Sequence, residues 1–227
     1  MRAAAILLAA GRGERLGDDT PKGFVELAGR PLLSYSLDAV RACSQVEMIA
    51  IAVPEGYSDR AFEIAGPRGV DIVIGGPSRQ SSVENSLGIV LSDLGPLPEA
   101  VVVHDVARPL ATSEMFDRVL AALSDADGAV PAIPVVDTVK RVYDGKVTET
   151  LRRESLVAVQ TPQAFRTEAL ERAHSAARRE GVEATDDAAL LERIGAPVAV
   201  VEGDVRNLKI TTPEDLLIAG LLGAGGD

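Results

Sequence analysis

Short apolar runs alternate with helix-period segments along this chain, the pattern of an α/β protein built on a largely parallel sheet. Apolar runs predict buried strands at residues 4–9, 48–53, 71–74, 100–104, 129–133 and 197–201, since a strand covered on both faces needs no alternation. Helices are predicted over 31–42, 81–94, 113–124, 167–179, 185–194 and 213–221. The first opens on Pro31, which a first helical turn tolerates, and carries Leu32, Leu33, Leu37 and Val40 on one stripe. Several of the others open on Ser or Thr with an acid behind, a capping pattern.

One stretch breaks this rhythm. Residues 135–160 alternate apolar with charged positions around Asp144-Gly145, a strong hairpin signal. A lone two-stranded hairpin is marginally stable, so an arm of this kind needs something to pack against, and a second copy of the chain is the simplest candidate. With no repeat, low-complexity tract or linker, the economical organisation is a single domain over 1–227 with an arm at 135–160 that serves a homodimer.

Composition narrows the partners. The 34 Asp and Glu outnumber the 23 Lys and Arg, for a net charge of −11, which repels nucleic acid and anionic membranes as general partners. Aromatic residues make up only 3%, with no Trp, so a stacking platform for single strands is not expected. The one cysteine, Cys43, permits no intrachain disulfide, and His104 and His174 alone make no zinc cluster. The apolar stretches 3–10 and 216–222 are too short to cross a bilayer, and a cytoplasmic location is expected.

The chemistry begins where the first strand ends. The run L-A-A-G-R-G-E-R-L-G at 8–17 has small residues that let backbone N–H groups approach a phosphate. It is not a Walker A loop, which needs Gly-Lys-Ser/Thr at its end, and Leu16 stands where a dinucleotide loop needs its third glycine. The first helix waits until Pro31, leaving a long connection that holds Arg15, Pro21 and Lys22. A glycine-rich turn with solvated charges is the bland alternative. A loop that cradles a triphosphate needs cations beside its amides, and Arg15 and Lys22 supply a fork and a point charge. A further lysine, Lys209, stands just before the helix at 213–221.

Further motifs accompany that loop: Pro21-Lys22, G-G-P-S-R-Q-S-S-V at 75–83, H-D-V-A-R-P at 104–109, D-T-V-K at 137–140, T-P-Q at 161–163, T-D-D at 185–187 and E-G-D-V-R-N-L-K-I-T-T-P-E-D-L from 202. With these in order from about residue 5 to 216, the sequence resembles the 2-C-methyl-D-erythritol 4-phosphate cytidylyltransferase family. The resemblance implies a Rossmann-like nucleotidyltransferase fold of the glycosyltransferase-A type, a mostly parallel sheet flanked by helices with a projecting β-hairpin arm. It implies transfer of a cytidylyl group from CTP to methylerythritol phosphate, with magnesium, in isoprenoid precursor synthesis.

By the same resemblance, Ala9, Ala10, Gly11 and Gly13 wrap the triphosphate, and Arg15, Lys22 and Lys209 neutralise its phosphates. Asp105 lies by the metal and ribose with Ala107 beside it, while Gly75, Gly76 and Ser82 meet the cytosine. The acceptor falls to Arg108, Thr138, Lys140, Arg153, Thr161 and Thr185, with Thr138 and Arg153 supplied from the neighbouring subunit. Asp186 and Asp187 are expected as acids at a helix start. Two positions depart from the family pattern, Gly23 and Val106. The competing readings are a ribitol 5-phosphate cytidylyltransferase, a silent nucleotide-binding protein, and a nicotinamide dehydrogenase, the last disfavoured by Leu16.

Overall fold

The computed structural model describes residues 1–11, 13, 20–67, 69–92 and 96–224. In chain order the first half runs β1 (Ala3–Leu8), β2 (Glu26–Leu27), β3 (Arg30–Pro31), α1 (Leu32–Ala42), β4 (Val46–Val53), α2 (Ser58–Ala65), β5 (Val70–Ile74), α3 (Arg79–Ser92) and β6 (Ala100–Asp105). The second runs α4 (Ser113–Ala121), β7 (Gly128–Pro134), β8 (Lys140–Tyr143), β9 (Lys146–Thr150), β10 (Val157–Val159), β11 (Gln163–Arg166), α5 (Thr167–Glu180), α6 (Asp187–Arg193), β12 (Val198–Glu202) and α7 (Pro213–Ala224).

Eight of these strands form one sheet. β1 lies at its centre, parallel to β4 and β6, with Ile6 opposite both Ala50 and Val103. β5 pairs beyond β4, and β12 runs parallel to β7. β11 is the antiparallel insertion between β6 and β7, and β10 extends the same antiparallel pairing along β7. The sheet is therefore mostly parallel with helices on both faces, as the apolar runs predict. Alternate residues of β1 supply two cores: Ala5 and Leu7 pack with Leu33 and Phe116 on one side, Ala4 and Ile6 with Leu87, Phe165 and Leu170 on the other.

Four elements go beyond the sequence pattern: α2, β11 and the two-residue strands β2 and β3. α2 has eight residues and buries only Ala61 and Ala65, too narrow a stripe to stand out in sequence. β11 has four residues and follows Pro162 directly, so its pairing is set by the sheet rather than by a local pattern. The hairpin forms at the predicted turn but is shorter than the arm expected at 135–160, since β9 ends at Thr150 and β10 pairs with β7 in the main sheet. Val142 faces Val147 and Tyr143 faces Lys146, with positive φ at Asp144 (50°) and Gly145 (68°) as a tight primed turn needs. Every residue of β8 and β9 is exposed.

The parallel strands all end on one edge, so the loops after β1, β5, β6 and β12 converge there, where open α/β sheets bind ligands.

Candidate functional site

These loops enclose a cleft of about 270 Å³ lined by Leu8, Ala10, Gly11, Lys22, Gly76, Pro77, Ser78, Arg79, Ser82, Asp105, Ala107 and Lys209. Small residues make its walls because the strand ends approach closely. A Cβ on Gly75 would stand 2.5 Å from the Ala10 Cβ, so β5 can end against β1 only with glycine there. Gly23, one of the two departures, has the same cause: its Cβ would meet that of Ala9 at 2.7 Å. Val106, the other, is fully buried and its amide donates to the Leu8 carbonyl at 3.2 Å, so it belongs to the floor rather than to a ligand surface.

The loop from 75 to 82 is fixed by its own hydroxyls. Ser82 Oγ accepts from the Gly76 amide at 3.0 Å and donates to the Ser78 carbonyl at 2.9 Å. The loop before α7 is fixed from below. Asn207, fully buried, donates to the Thr161 carbonyl at 2.9 Å, Gln160 donates to the Asp204 carbonyl at 2.8 Å, and the Ile210 amide donates to the Ala107 carbonyl at 2.8 Å. Lys22 Nζ donates to the Ile210 carbonyl at 3.1 Å, a contact across 188 positions of sequence that brings Lys22 and Lys209 to one cleft.

Asp105, at the last position of β6, is the carboxylate of the cleft. Lys209 Nζ meets its Oδ2 at 2.6 Å and Arg79 Nε its Oδ1 at 3.2 Å. Burial opposes its charge, but Arg79 and Lys209 outweigh that and hold the carboxyl well below the usual range. Arg79 also donates from Nη1 to Asp187 Oδ2 at 2.6 Å. Burial works against the Arg79 charge, and the two carboxylates more than restore it, so the guanidinium stays charged. Among the described residues lining the cleft, Lys22, Arg79 and Lys209 are the cations and Asp105 is the one acid, a positive locus in an acidic chain.

Under Asp105 lies a neutral support. The Asp105 amide donates to Thr161 Oγ1 at 3.0 Å, and the Thr161 hydroxyl shares a second hydrogen bond with His104 Nδ1, also at 3.0 Å. Burial depresses His104 to about 4, which keeps the ring neutral and able to accept.

The cleft thus gathers Ala10, Gly11, Lys22, Gly76, Ser82, Asp105, Ala107 and Lys209 from the residues the sequence singles out. Ala9 is buried behind it, and Gly13 adopts a φ of 72° in the loop after β1. Arg15 lies outside the described residues. Arg108 is not among the residues lining the cleft; it donates from Nη1 to the Asn207 carbonyl at 2.8 Å, and burial lowers its pKa against the pull of Asp105. Thr161, expected to serve the acceptor, is buried, and its hydroxyl contacts the Asp105 amide and His104. Thr185 is exposed just before α6. Thr138, Lys140 and Arg153 lie on the arm or at its base; Lys140 donates to Thr150 Oγ1 at 2.6 Å and Arg153 to the Val136 carbonyl at 2.7 Å.

Of the two acids at the start of α6, Asp186 caps it as expected, accepting from the Ala189 amide at 3.0 Å. Asp187 stands in the first turn as expected, and its side chain also reaches into the protein toward Arg79 and His174. Arg79 is the cleft cation that sequence reasoning passes over. Its signal is a cation shortly after a glycine turn at a strand end, the same signal that marks Lys22.

Among the described residues no three His, Cys, Asp or Glu side chains gather as a metal-binding group. Magnesium needs none when it is bound through one carboxylate and the phosphates of a nucleotide, and Asp105 is placed to be that carboxylate.

Residues 3–222 match the family model described as IspD: 2-C-methyl-D-erythritol 4-phosphate cytidylyltransferase. The chain belongs to this family. Among its relatives, the 2-C-methyl-D-erythritol 4-phosphate cytidylyltransferase of Aquifex aeolicus (strain VF5) is 46% identical over 224 residues, covering 98% of this chain and 99% of the relative. That of Synechocystis sp. is 42% identical over 220 residues, covering 94% of each. The crystal structure of the enzyme from Thermus thermophilus superposes with a TM-score of 0.80 at 37% identity, over 99% of this chain and 100% of that one. The fold is the family's nucleotidyltransferase-like α/β fold, and the family is one of nucleotidyltransferases.

Proposed function

We infer that this chain transfers the cytidylyl group of CTP to 2-C-methyl-D-erythritol 4-phosphate, releasing pyrophosphate, in the synthesis of isoprenoid precursors. The observation that carries this reading is the cleft itself: among its described lining residues, three cations and one carboxylate gathered at the strand ends of a family member whose chain is otherwise strongly acidic.

The acceptor's phosphate oxygen attacks the α-phosphorus of CTP; a new P–O bond forms, the bond to the α–β bridging oxygen breaks, and pyrophosphate leaves with its electron pair. A phosphate monoester has a second pKa near 6, so it reaches the site mostly as a dianion and needs no general base. The protein supplies position and positive charge where charge accumulates in the transition state. Lys22 and Lys209 serve that end. Lys209, with 42% of its side chain exposed against 11% for Asp105, can leave Asp105 for a phosphate while Arg79 keeps the carboxylate in place.

Asp105 would hold magnesium together with the nucleotide's phosphates, and the metal when bound would draw charge from the leaving pyrophosphate. The Gly75-Gly76 turn and Ser82 would take the base, where the end of β5 approaches Ala10 closely. The exposed arm, with apolar Val142, Tyr143 and Val147 facing outward, would join two copies of the chain and carry Thr138, Lys140 and Arg153 to the partner's acceptor site. A cytoplasmic location accords with a chain in which no helix among the described residues is long and apolar enough to cross a membrane.

The nucleotide preference tests this reading. With methylerythritol phosphate and magnesium supplied, pyrophosphate release should follow CTP far ahead of ATP or GTP; equal rates with the purine nucleotides would contradict it.

A further inference from the structure

We propose that Asp187 is a positioning residue for nucleotide binding: through Arg79 it fixes the Asp105 carboxylate at the cleft, and His174 in turn fixes Asp187. The inference rests on the nucleotidyl-transfer reading and names the residues behind its site.

The three contacts run inward in series. Arg79 Nε meets Asp105 Oδ1 at 3.2 Å, Arg79 Nη1 meets Asp187 Oδ2 at 2.6 Å, and His174 Nε2 meets Asp187 Oδ1 at 2.9 Å. Asp187 is ionised, because burial is outweighed by Arg79 and His174, so its oxygens accept and His174 Nε2 is the donor. Asp187 and His174 have 1% and 2% of their side chains exposed, whereas Arg79 has 24%. The series is therefore anchored deep, at the start of α6 and on α5, and ends at the cleft.

A guanidinium is a rigid plane, so fixing Nη1 also fixes Nε. The shorter and drier contact, to Asp187, sets the plane; the longer one, to Asp105, follows from it. This matters when a triphosphate arrives with close to four negative charges, because an unanchored arginine at the rim would swing to the phosphates and abandon Asp105. A lysine in place of Arg79 would keep the charge but could not hold two carboxylates in a fixed relation. A purely structural ion pair between α3 and α6 would need only the Asp187 contact. The same side chain's second contact, on the acid of the cleft, ties the buried pair to the site.

The test is a double-mutant cycle on CTP binding, read by calorimetry with magnesium present, beside steady-state kinetics. Asp187→Asn should weaken CTP by roughly 10–100-fold, the scale for losing an outer-shell partner, while the acceptor KM stays within about twofold. In an Arg79→Lys background the same change should add less than about twofold, since the path through Arg79 is already cut. His174→Gln, which leaves the Arg79–Asp187 pair in place, should weaken CTP by a few-fold in the same direction and serves as the measurement if Asp187→Asn does not fold. Losses that multiply in the double variant, equal losses for CTP and acceptor, or an unchanged CTP Kd in a folded Asp187 or His174 variant would overturn the proposal. Wild-type behaviour separates the two levels. A wild type that binds CTP without transferring it contradicts the activity and leaves the Kd pattern to decide this inference; one that does not bind CTP overturns both.

Discussion

Lys22 and Lys209 enter the cleft from opposite ends of the chain, and the hydrogen bond from Lys22 to the Ile210 carbonyl makes them neighbours. Both are legible in the sequence because a phosphate loop without nearby cations would be unfinished. Replacing either with Ala should lower kcat by roughly 10²-fold or more with little change in melting temperature, the scale for a lost transition-state contact; near-normal kcat would remove that lysine from the catalytic set. Gly75 tests the packing beneath them. A Cβ there would crowd the Ala10 Cβ at 2.5 Å and the Ser82 Oγ at 3.0 Å, so Gly75→Ala should cost about 1–3 kcal/mol in chemical denaturation and raise the CTP KM. What the sequence could not offer is the Arg79–Asp187 pair, whose members stand 108 positions apart and meet only because α3 and α6 flank the same sheet face. Asp187 at a helix start satisfies a local rule, and that local rule conceals the long-range one.

The elements divide along the same line. The hairpin is legible because its signal is local, an Asp-Gly turn between alternating strands, whereas β11 is a short segment whose antiparallel direction is dictated by β6 and β7. The exposed arm should act between subunits. Arg153→Ala should therefore raise the acceptor KM much more than the CTP KM, and equal effects on both would argue against an acceptor role. Mixing Arg153→Ala with Lys22→Ala protein under subunit exchange should restore part of the activity, because hybrid dimers would hold one intact composite site. No recovery despite demonstrated exchange would refute sharing. Replacing Val142, Tyr143 and Val147 with Ser should shift the proposed dimer toward monomer in light scattering, since these are the exposed apolar residues of the β8–β9 hairpin.

At the scale of the whole molecule, the net charge of −11 and the cation-rich cleft are compatible because the positive charge is local. The same buried groups set the response to acid. His104 is held near 4 when folded, against about 6.5 when unfolded, so the unfolded chain binds its proton first and stability falls as pH drops from about 6.5 to about 4, by roughly 3 kcal/mol. Asp105 and Asp187 are depressed, so the stability they contribute is present above their unfolded values near 4 and is lost as pH falls below that. Denaturation midpoints should decline through the first window, and His104→Asn should flatten that decline while leaving the steeper loss at lower pH.

The acceptor tests the central claim most directly. Incubating the chain with CTP and magnesium, and offering 2-C-methyl-D-erythritol 4-phosphate and ribitol 5-phosphate in parallel, measures pyrophosphate release and product mass together. The expected result is 4-diphosphocytidyl-2-C-methyl-D-erythritol with stoichiometric pyrophosphate from the first acceptor and little from the second. Faster turnover of ribitol 5-phosphate, or pyrophosphate release with neither, would contradict it.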